Sequence, residues 1–228
     1  MIITIDGPAG AGKSTVARAL ARRLGFRFLD TGAMYRAVAL AALRRGLDWD
    51  APDDLAQLAR KLDIRTLGQR ILLDGEDVTE AVRTSEVTAV TRYAAGNAKV
   101  REFLVELQRK LAGNDNVVTE GRDQGTVAFP AAECKIFLTA TPAERARRRL
   151  LDLQAQGEPV TLEQVLAAQE RRDREDATRA VGPLIPADDA QTVYTDGLTL
   201  AEVVARLETL AKQKQPERND EARMTNDE

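Results

Sequence analysis

Gly7-Pro8-Ala9-Gly10-Ala11-Gly12-Lys13-Ser14 satisfies G-x-x-x-x-G-K-[ST], a pattern in which every fixed position has a chemical purpose. Backbone N–H groups of such a loop, together with the positive end of the helix that follows, converge on phosphate oxygens. The lysine reaches the outer phosphates, and the hydroxyl after it suits Mg²⁺. The expected phosphate-loop contacts are therefore Gly7, Pro8, Ala9, Gly10, Ala11, Gly12, Lys13, Ser14 and Thr15, with Lys13 acting on the reacting phosphate and Ser14 as the metal contact.

A second chemistry lies in five segments that mix arginines with acids or hydroxyls: Asp30 to Arg36, Arg83-Thr84, Val100-Arg101-Glu102, Glu120 to Thr126, and Arg172 to Arg179. Arginine binds phosphate through a planar fork and keeps its charge, so such clusters suit a second anion and a closing segment. The sequence has no histidine, which excludes Ser-His and Cys-His catalytic pairs and His-ligated zinc. Phosphoryl transfer survives that filter, because it asks mainly for positioning and positive charge. Other phosphate-loop classes fit less well. Asn97-Ala98-Lys99 is not the Asn-Lys-x-Asp of a GTPase, and Val117-Val118-Thr119-Glu120 is a weak Walker B strand. A kinase acting on a small phosphorylated acceptor is the reading that uses both sites.

These residues need elements to hold them. Ile2 to Ile5, Phe26 to Leu29, Val117-Val118, Lys135 to Leu138 and Gln191 to Tyr194 read as short strands. Helical patterns alternate with them, which implies a parallel α/β sheet flanked by helices. Ser14 to Leu24 and Tyr35 to Arg45 read as helices. Apolar stripes run through Leu55 to Leu62, Val100 to Leu111 and Leu200 to Leu210 at i, i+3, i+4, i+7 spacing. Ile71-Leu72-Leu73 before Asp74-Gly75 predicts a hairpin, so a small antiparallel insert is expected over about 61–93. The core then comprises 1–60 and 94–211, and the polar residues 212–228 read as a frayed tail.

At this point the sequence resembles the bacterial cytidylate (CMP/dCMP) kinase family, from Ile3 to about Leu210. The resemblance rests on Ile3 to Pro8, Leu29 to Arg36, Gly121-Arg122-Asp123 with Gly125-Thr126, and Arg172-Asp173 through Arg179 followed by Pro183-Leu184 and Asp188-Asp189-Ala190. It implies a P-loop nucleoside monophosphate kinase fold with an NMP-binding insert over 61–93 and an arginine-rich lid over about 142–190. It implies ATP as phosphoryl donor with Mg²⁺, and CMP or dCMP as acceptor. Arg36, Arg122 and Arg179 would hold the CMP phosphate, and Arg101 and Asp123 would read cytosine. Thr31 and Tyr35 would line the acceptor site, while Arg172 and Asp176 would reach the ribose and the transferring phosphate. Where the family often has a small hydroxyl near the base, this chain has Arg92, which either contacts the acceptor or extends into water. Two acids near strand ends, Glu120 and Asp30, both remain candidates to hold Mg²⁺ through water. Arg145, Arg147, Arg148 and Arg149 spread around one helix and read mostly as solvated or structurally paired, with contact of some to ATP left open.

Composition bounds the remaining possibilities. A chain of 228 residues with 43% hydrophobic and 30% charged content and net charge −3 lacks the basic excess of a nucleic-acid binder. It is also too apolar for a disordered chain. The lone Cys134, before Ile136-Phe137-Leu138, reads as a small buried hydrophobe in a reducing compartment. No stretch approaches a membrane span. A cytoplasmic monomer with small-molecule partners, neither nucleic acid nor membrane, is expected. The alternatives are another small-molecule kinase of this architecture, acting on UMP or shikimate, and a nucleotide-dependent binding module.

Overall fold

A computed structural model describes residues 1–155 and 157–214. In it β1 (Ile2–Asp6) leads through the glycine loop into α1 (Lys13–Leu24), and β2 (Arg27–Asp30) leads directly into α2 (Thr31–Arg44). After α3 (Pro52–Lys61) come three short strands, β3 (Ile64–Leu67), β4 (Arg70–Leu73) and β5 (Glu76–Asp77). Then follow α4 (Ser85–Gly96), α5 (Ala98–Ala112) and β6 (Val117–Gly121). A single π-helical turn at Gln124–Ala128 precedes β7 (Cys134–Thr139). The remainder is α6 (Pro142–Ala155), α7 (Leu162–Thr178), β8 (Gln191–Tyr194) and α8 (Leu200–Lys214).

The five apolar runs become one sheet in the order β2-β6-β1-β7-β8, and each pairing is parallel. Parallel strands bury both faces, which is why these runs are short and nearly continuous in apolar residues. Register sets the functional edge: Asp6 lies opposite Gly121 and Phe137, and Asp30 lies opposite Glu120. The acids at the carboxyl ends of three neighbouring strands thus reach one rim, where open α/β sheets bind ligands. One face of the sheet packs on α2, α3 and α5 around Met34, Val38 and Leu104. The other packs on α1 and α8 around Val16, Leu20 and Leu207. Helices α6 and α7 have a small core of their own, Ala146, Leu153 and Val165.

The expected hairpin is present, with Asp74 and Gly75 both left-handed (φ 50° and 88°) between β4 and β5, as a two-residue hairpin turn requires. The antiparallel strands occupy only 64–77, however, and the second half of the anticipated insert contributes helix α4 instead. The Thr84 hydroxyl caps that helix by accepting from the Val87 amide, and Val87 and Ala94 are buried in the core shared with α2. Helix α2 also starts earlier than its apolar pattern suggests, because the Asp30 carboxylate accepts from the Ala33 amide at 2.8 Å and caps it. At the other end, residues 212–214, expected to fray, continue α8, with Lys212 2.8 Å from Glu208 one turn back. The rest of the anticipated tail, 215–228, lies outside the described residues.

Cys134 is 3% exposed on β7, and burial pushes its thiol up to about 11, so it packs as a hydrophobe. Trp49 stacks on Tyr93 with ring centroids 4.9 Å apart, a packing contact. Among the described residues no helix is long and apolar enough to cross a membrane.

Candidate functional site

The glycine loop is shaped by contacts that tolerate no side chain. At Gly7 (φ 149°) a Cβ would overlap the carbonyl oxygen of Leu138 on the neighbouring strand, and Gly10 (φ 76°) is pressed against Arg145. Gly12 (φ 87°) stands at the N-cap of α1 and offers no side-chain cap, so the first-turn amides are left for a ligand. Arg145 braces the loop from outside, donating to Ala9 O at 2.9 Å while pairing with Asp173 of α7 at 2.7 Å.

Lys13 is only 6% exposed, and its Nζ donates to Pro8 O at 2.8 Å. Burial and the nearby Arg122 guanidinium lower it to about 7, with Glu120 and Asp176 opposing that shift. An anion bound here would restore the charge. Ser14 Oγ donates to Glu120 Oε1 at 2.8 Å, and Glu120 is buried. The hydroxyl, this carboxylate and phosphate oxygens form the hard oxygen set that Mg²⁺ prefers. Asp30, the other candidate acid, is occupied as the cap of α2 and lies 3.6 and 3.9 Å from Arg36 and Arg83. Among the described residues no cluster of three His, Cys, Asp or Glu side chains could hold a metal unaided.

Facing the loop is a set of buried ion pairs. Arg101 pairs with Asp123, both almost fully buried, and its guanidinium lies 5.7 Å from the Tyr35 ring centre. Burial drives the Tyr35 hydroxyl up to about 12. Arg122 Nε donates to Asp176 at 2.6 Å. Burial is the largest single influence and would raise Asp176, but the charge and hydrogen bond of Arg122 together with the charges of Arg172 and Arg179 hold the carboxyl below its ordinary value. Arg179 lies 3.7 Å from Asp176 and donates to Gly182 O at 3.1 and 2.5 Å. The Thr31 hydroxyl donates to Glu120 O at 2.7 Å, linking this side to the Ser14 side. Arg36 keeps a buried Nε with no partner. Arg172 has no carboxylate within salt-bridge reach among the described residues. Part of it is open to solvent, yet the surrounding protein and Arg122 lower it to about 10.

Contacts and mutual charge effects bring the anticipated residues together: Ser14 and Thr31 meet through Glu120, Arg122 links Lys13 to Asp176, Arg172 neighbours Arg36 and Arg122, and Arg179 neighbours Arg101, Asp123 and Tyr35. Thr15 is exposed on the first turn of α1. Arg92 stands apart, exposed and folded over the ring of its own neighbour Tyr93 at 4.8 Å. Arg147 and Arg148 pair with Glu144, Arg148 also donates to Thr195, and Arg145 pairs with Asp173, so each of these three has a protein partner. The sequence reading passed over Asp6, which accepts from the Gln124 and Gly125 amides, both at 2.8 Å, and so fixes the loop carrying Arg122 and Asp123. Burial raises it to about 6. Its place at the end of the β1 run, directly before the glycine loop, was the available signal.

The chain resembles known proteins over about nine tenths of its length. A family model described as cytidylate kinase matches residues 3–213. A cytidylate kinase of Rhodopirellula baltica is 51% identical over 203 residues, covering 89% of each chain. One from Desulfitobacterium hafniense is 49% identical over 215 residues, covering 93% of each. Among solved structures, a shikimate kinase from Bacteroides thetaiotaomicron superposes with a TM-score of 0.50 at 15% identity, over 93% of this chain and 98% of that one, a likeness of fold alone. With half of the residues shared across nine tenths of the chain, and a glycine loop facing a cleft of buried arginine–acid pairs, this protein belongs to the cytidylate kinase family.

Proposed function

We propose that this chain transfers the γ-phosphoryl group of ATP to CMP or dCMP, giving ADP and CDP or dCDP. The observation that carries the reading is the buried Arg101–Asp123 pair, with Asp123 and Lys13 both acting on the same buried Asp6 at the end of β1. A carboxylate accepts from the cytosine amino group and a guanidinium donates to N3, whereas uracil presents an acceptor at O4 and a donor at N3; O2 accepts in both bases and does not discriminate.

The remaining roles follow from charge and reach. The loop amides and Lys13 hold the β- and γ-phosphates of ATP. Arg36, Arg122 and Arg179 hold the acceptor phosphate, Thr31 and Tyr35 wall its site, and Arg172 and Asp176 reach the ribose and the transferring group. Ser14 and Glu120 would hold Mg²⁺, which when bound neutralises charge on the phosphates. Arginines around the equatorial oxygens stabilise a loose transition state, and no residue need form a covalent intermediate. One chain supplies every group this reading uses, so no partner subunit is needed to complete the site. The strands 64–77 and helix α4 act as the acceptor-side insert, and α6 with α7 as the lid.

ADP release measured with a panel of acceptors tests the reading. Strong stimulation by CMP and dCMP is expected. Equal stimulation by UMP, stimulation by shikimate instead, or ADP release that no acceptor changes would each overturn it.

A further inference from the structure

Gly182 is the one buried residue in the stretch from Ala180 to Ile185, and its backbone lies directly against Arg101 and Asp123. Its φ is +60°, and a Cβ built on it would lie 2.7 Å from Arg101 Cζ and overlap both Arg101 Nη2 and Asp123 Oδ2. The turn is held in that position from both sides. Arg179 donates two hydrogen bonds to Gly182 O, and the Leu184 amide donates to Asp176 O at 2.8 Å. The same closing unit reaches the far wall through Glu158, which accepts from the Ser85 hydroxyl at 2.5 Å.

We propose that Gly182 is a specificity-determining residue: its bare backbone seals the Arg101–Asp123 pair against water, and this seal sharpens the discrimination of cytosine from uracil. The inference rests on the reading of that pair as the base-recognition groups. Its physical basis is that a mismatched base is rejected only when the unpaired donor or acceptor finds no substitute partner. Water at the pair would bridge the mismatched uracil edge and return part of the lost interaction. A covered pair denies it that route. A side chain at 182 must displace either the turn or the tips of Arg101 and Asp123, and in both cases the cover over the pair is disturbed; a left-handed φ also strains residues other than glycine. Val181, next to it, is 36% exposed, so it supplies a control in the same segment.

The experiment compares kcat/KM for CMP and UMP in the wild type, Gly182→Ala, Val181→Ala and Asp123→Asn, with melting temperatures for each. Gly182→Ala is expected to lower the CMP-to-UMP ratio about tenfold, chiefly through faster turnover of UMP relative to CMP, with KM for ATP within about twofold of wild type. Val181→Ala should leave the ratio unchanged. If Gly182→Ala does not accumulate as folded protein, Pro183→Gly loosens the same turn without adding atoms and carries the same expectation. A ratio within about threefold of wild type in the Gly182 or Pro183 variant, while Asp123→Asn abolishes discrimination, overturns the seal and leaves base reading intact. An equal loss in Val181→Ala also overturns it, since general loosening would then be the cause. Discrimination unaffected by Asp123→Asn would instead remove the base-reading assignment itself.

Discussion

The two walls of the proposed site are made in different ways. The donor wall is backbone from consecutive residues, with Gly7, Gly10 and Gly12 bent into positive φ and the open amides of α1 behind them. The acceptor wall is side chains from distant segments, and they are paired with one another: Arg101 with Asp123, Arg122 with Asp176, Arg179 with its own turn. A backbone wall is preformed and neutral, so its affinity comes from geometry and from one buried lysine. A wall of arginines would repel itself without the interleaved acids, so its substrate must exchange partners with groups already satisfied. Damage to the donor wall should therefore remove turnover outright, whereas damage to the acceptor wall should change which molecule is used and when.

The sharpest way to break this contrast is at Lys13 and Ser14. Lys13→Ala should lower kcat by roughly 10³-fold or more, and Ser14→Ala by about 10²-fold, with melting temperatures within a few degrees of wild type. Near-normal kcat in either variant would show that the glycine loop does not hold the reacting phosphates. Next in size is Arg179→Met, expected to lower kcat by about 10²-fold while ATP affinity of the free protein shifts less than threefold, because this charge belongs to the acceptor wall and the lid. Equal losses in rate and ATP affinity would merge the two walls into one. Smaller still is Asp123→Asn, whose amide can also donate to uracil O4. It should cut the CMP-to-UMP ratio in kcat/KM by roughly 10- to 150-fold, the worth of one hydrogen bond to a charged group. Parallel losses on both acceptors would make the pair a structural one.

The same contrast explains what could be read from residues alone. A backbone site leaves a contiguous trace, so the strand, the glycine loop and α1 were legible from residues 2–24. The acceptor wall leaves only scattered arginines and acids, and it took the resemblance to a family to say which of them converge. Glu120 and Asp30 were equivalent in sequence. They separate only because Asp30 precedes a helix whose amides it caps, while Glu120 faces Ser14 from the adjoining part of the sheet. Helix α4 was missed because small residues such as Ala89, Ala94 and Ala95 give a faint apolar stripe, and its Thr84 cap is a weak signal in isolation. Gly182 was invisible for a different reason. A glycine before a proline reads as an ordinary loop breaker, and its contact with Arg101, 81 positions earlier in the chain, exists only in the fold.

The smallest effect tests the electrostatic difference between the walls through protons. Burial and Arg122 lower Lys13 to about 7, whereas arginine keeps its charge at pH 8 even where, as at Arg172, its surroundings lower it to about 10. At pH 8 about nine tenths of Lys13 is then neutral in the free protein. Phosphates arriving beside it favour the ammonium form, so ATP binding should take up close to one proton at pH 8. CMP binding should take up almost none. Calorimetry in buffers of different ionisation enthalpy reads this directly, and pH 8 is the proper condition because Asp6, at about 6, is already ionised there. Lys13→Met should abolish the uptake. The stability of the ligand-free protein carries the same sign information. A lysine whose folded pKa is depressed binds fewer protons folded than unfolded between about 7 and 10.5, so its contribution makes stability rise with pH across that window. Lys13→Met should flatten that slope while leaving the behaviour below pH 7 alone. Proton uptake with CMP equal to that with ATP would mean that the titrating group serves both walls, and the division between a neutral backbone site and a permanently charged side-chain site would fail.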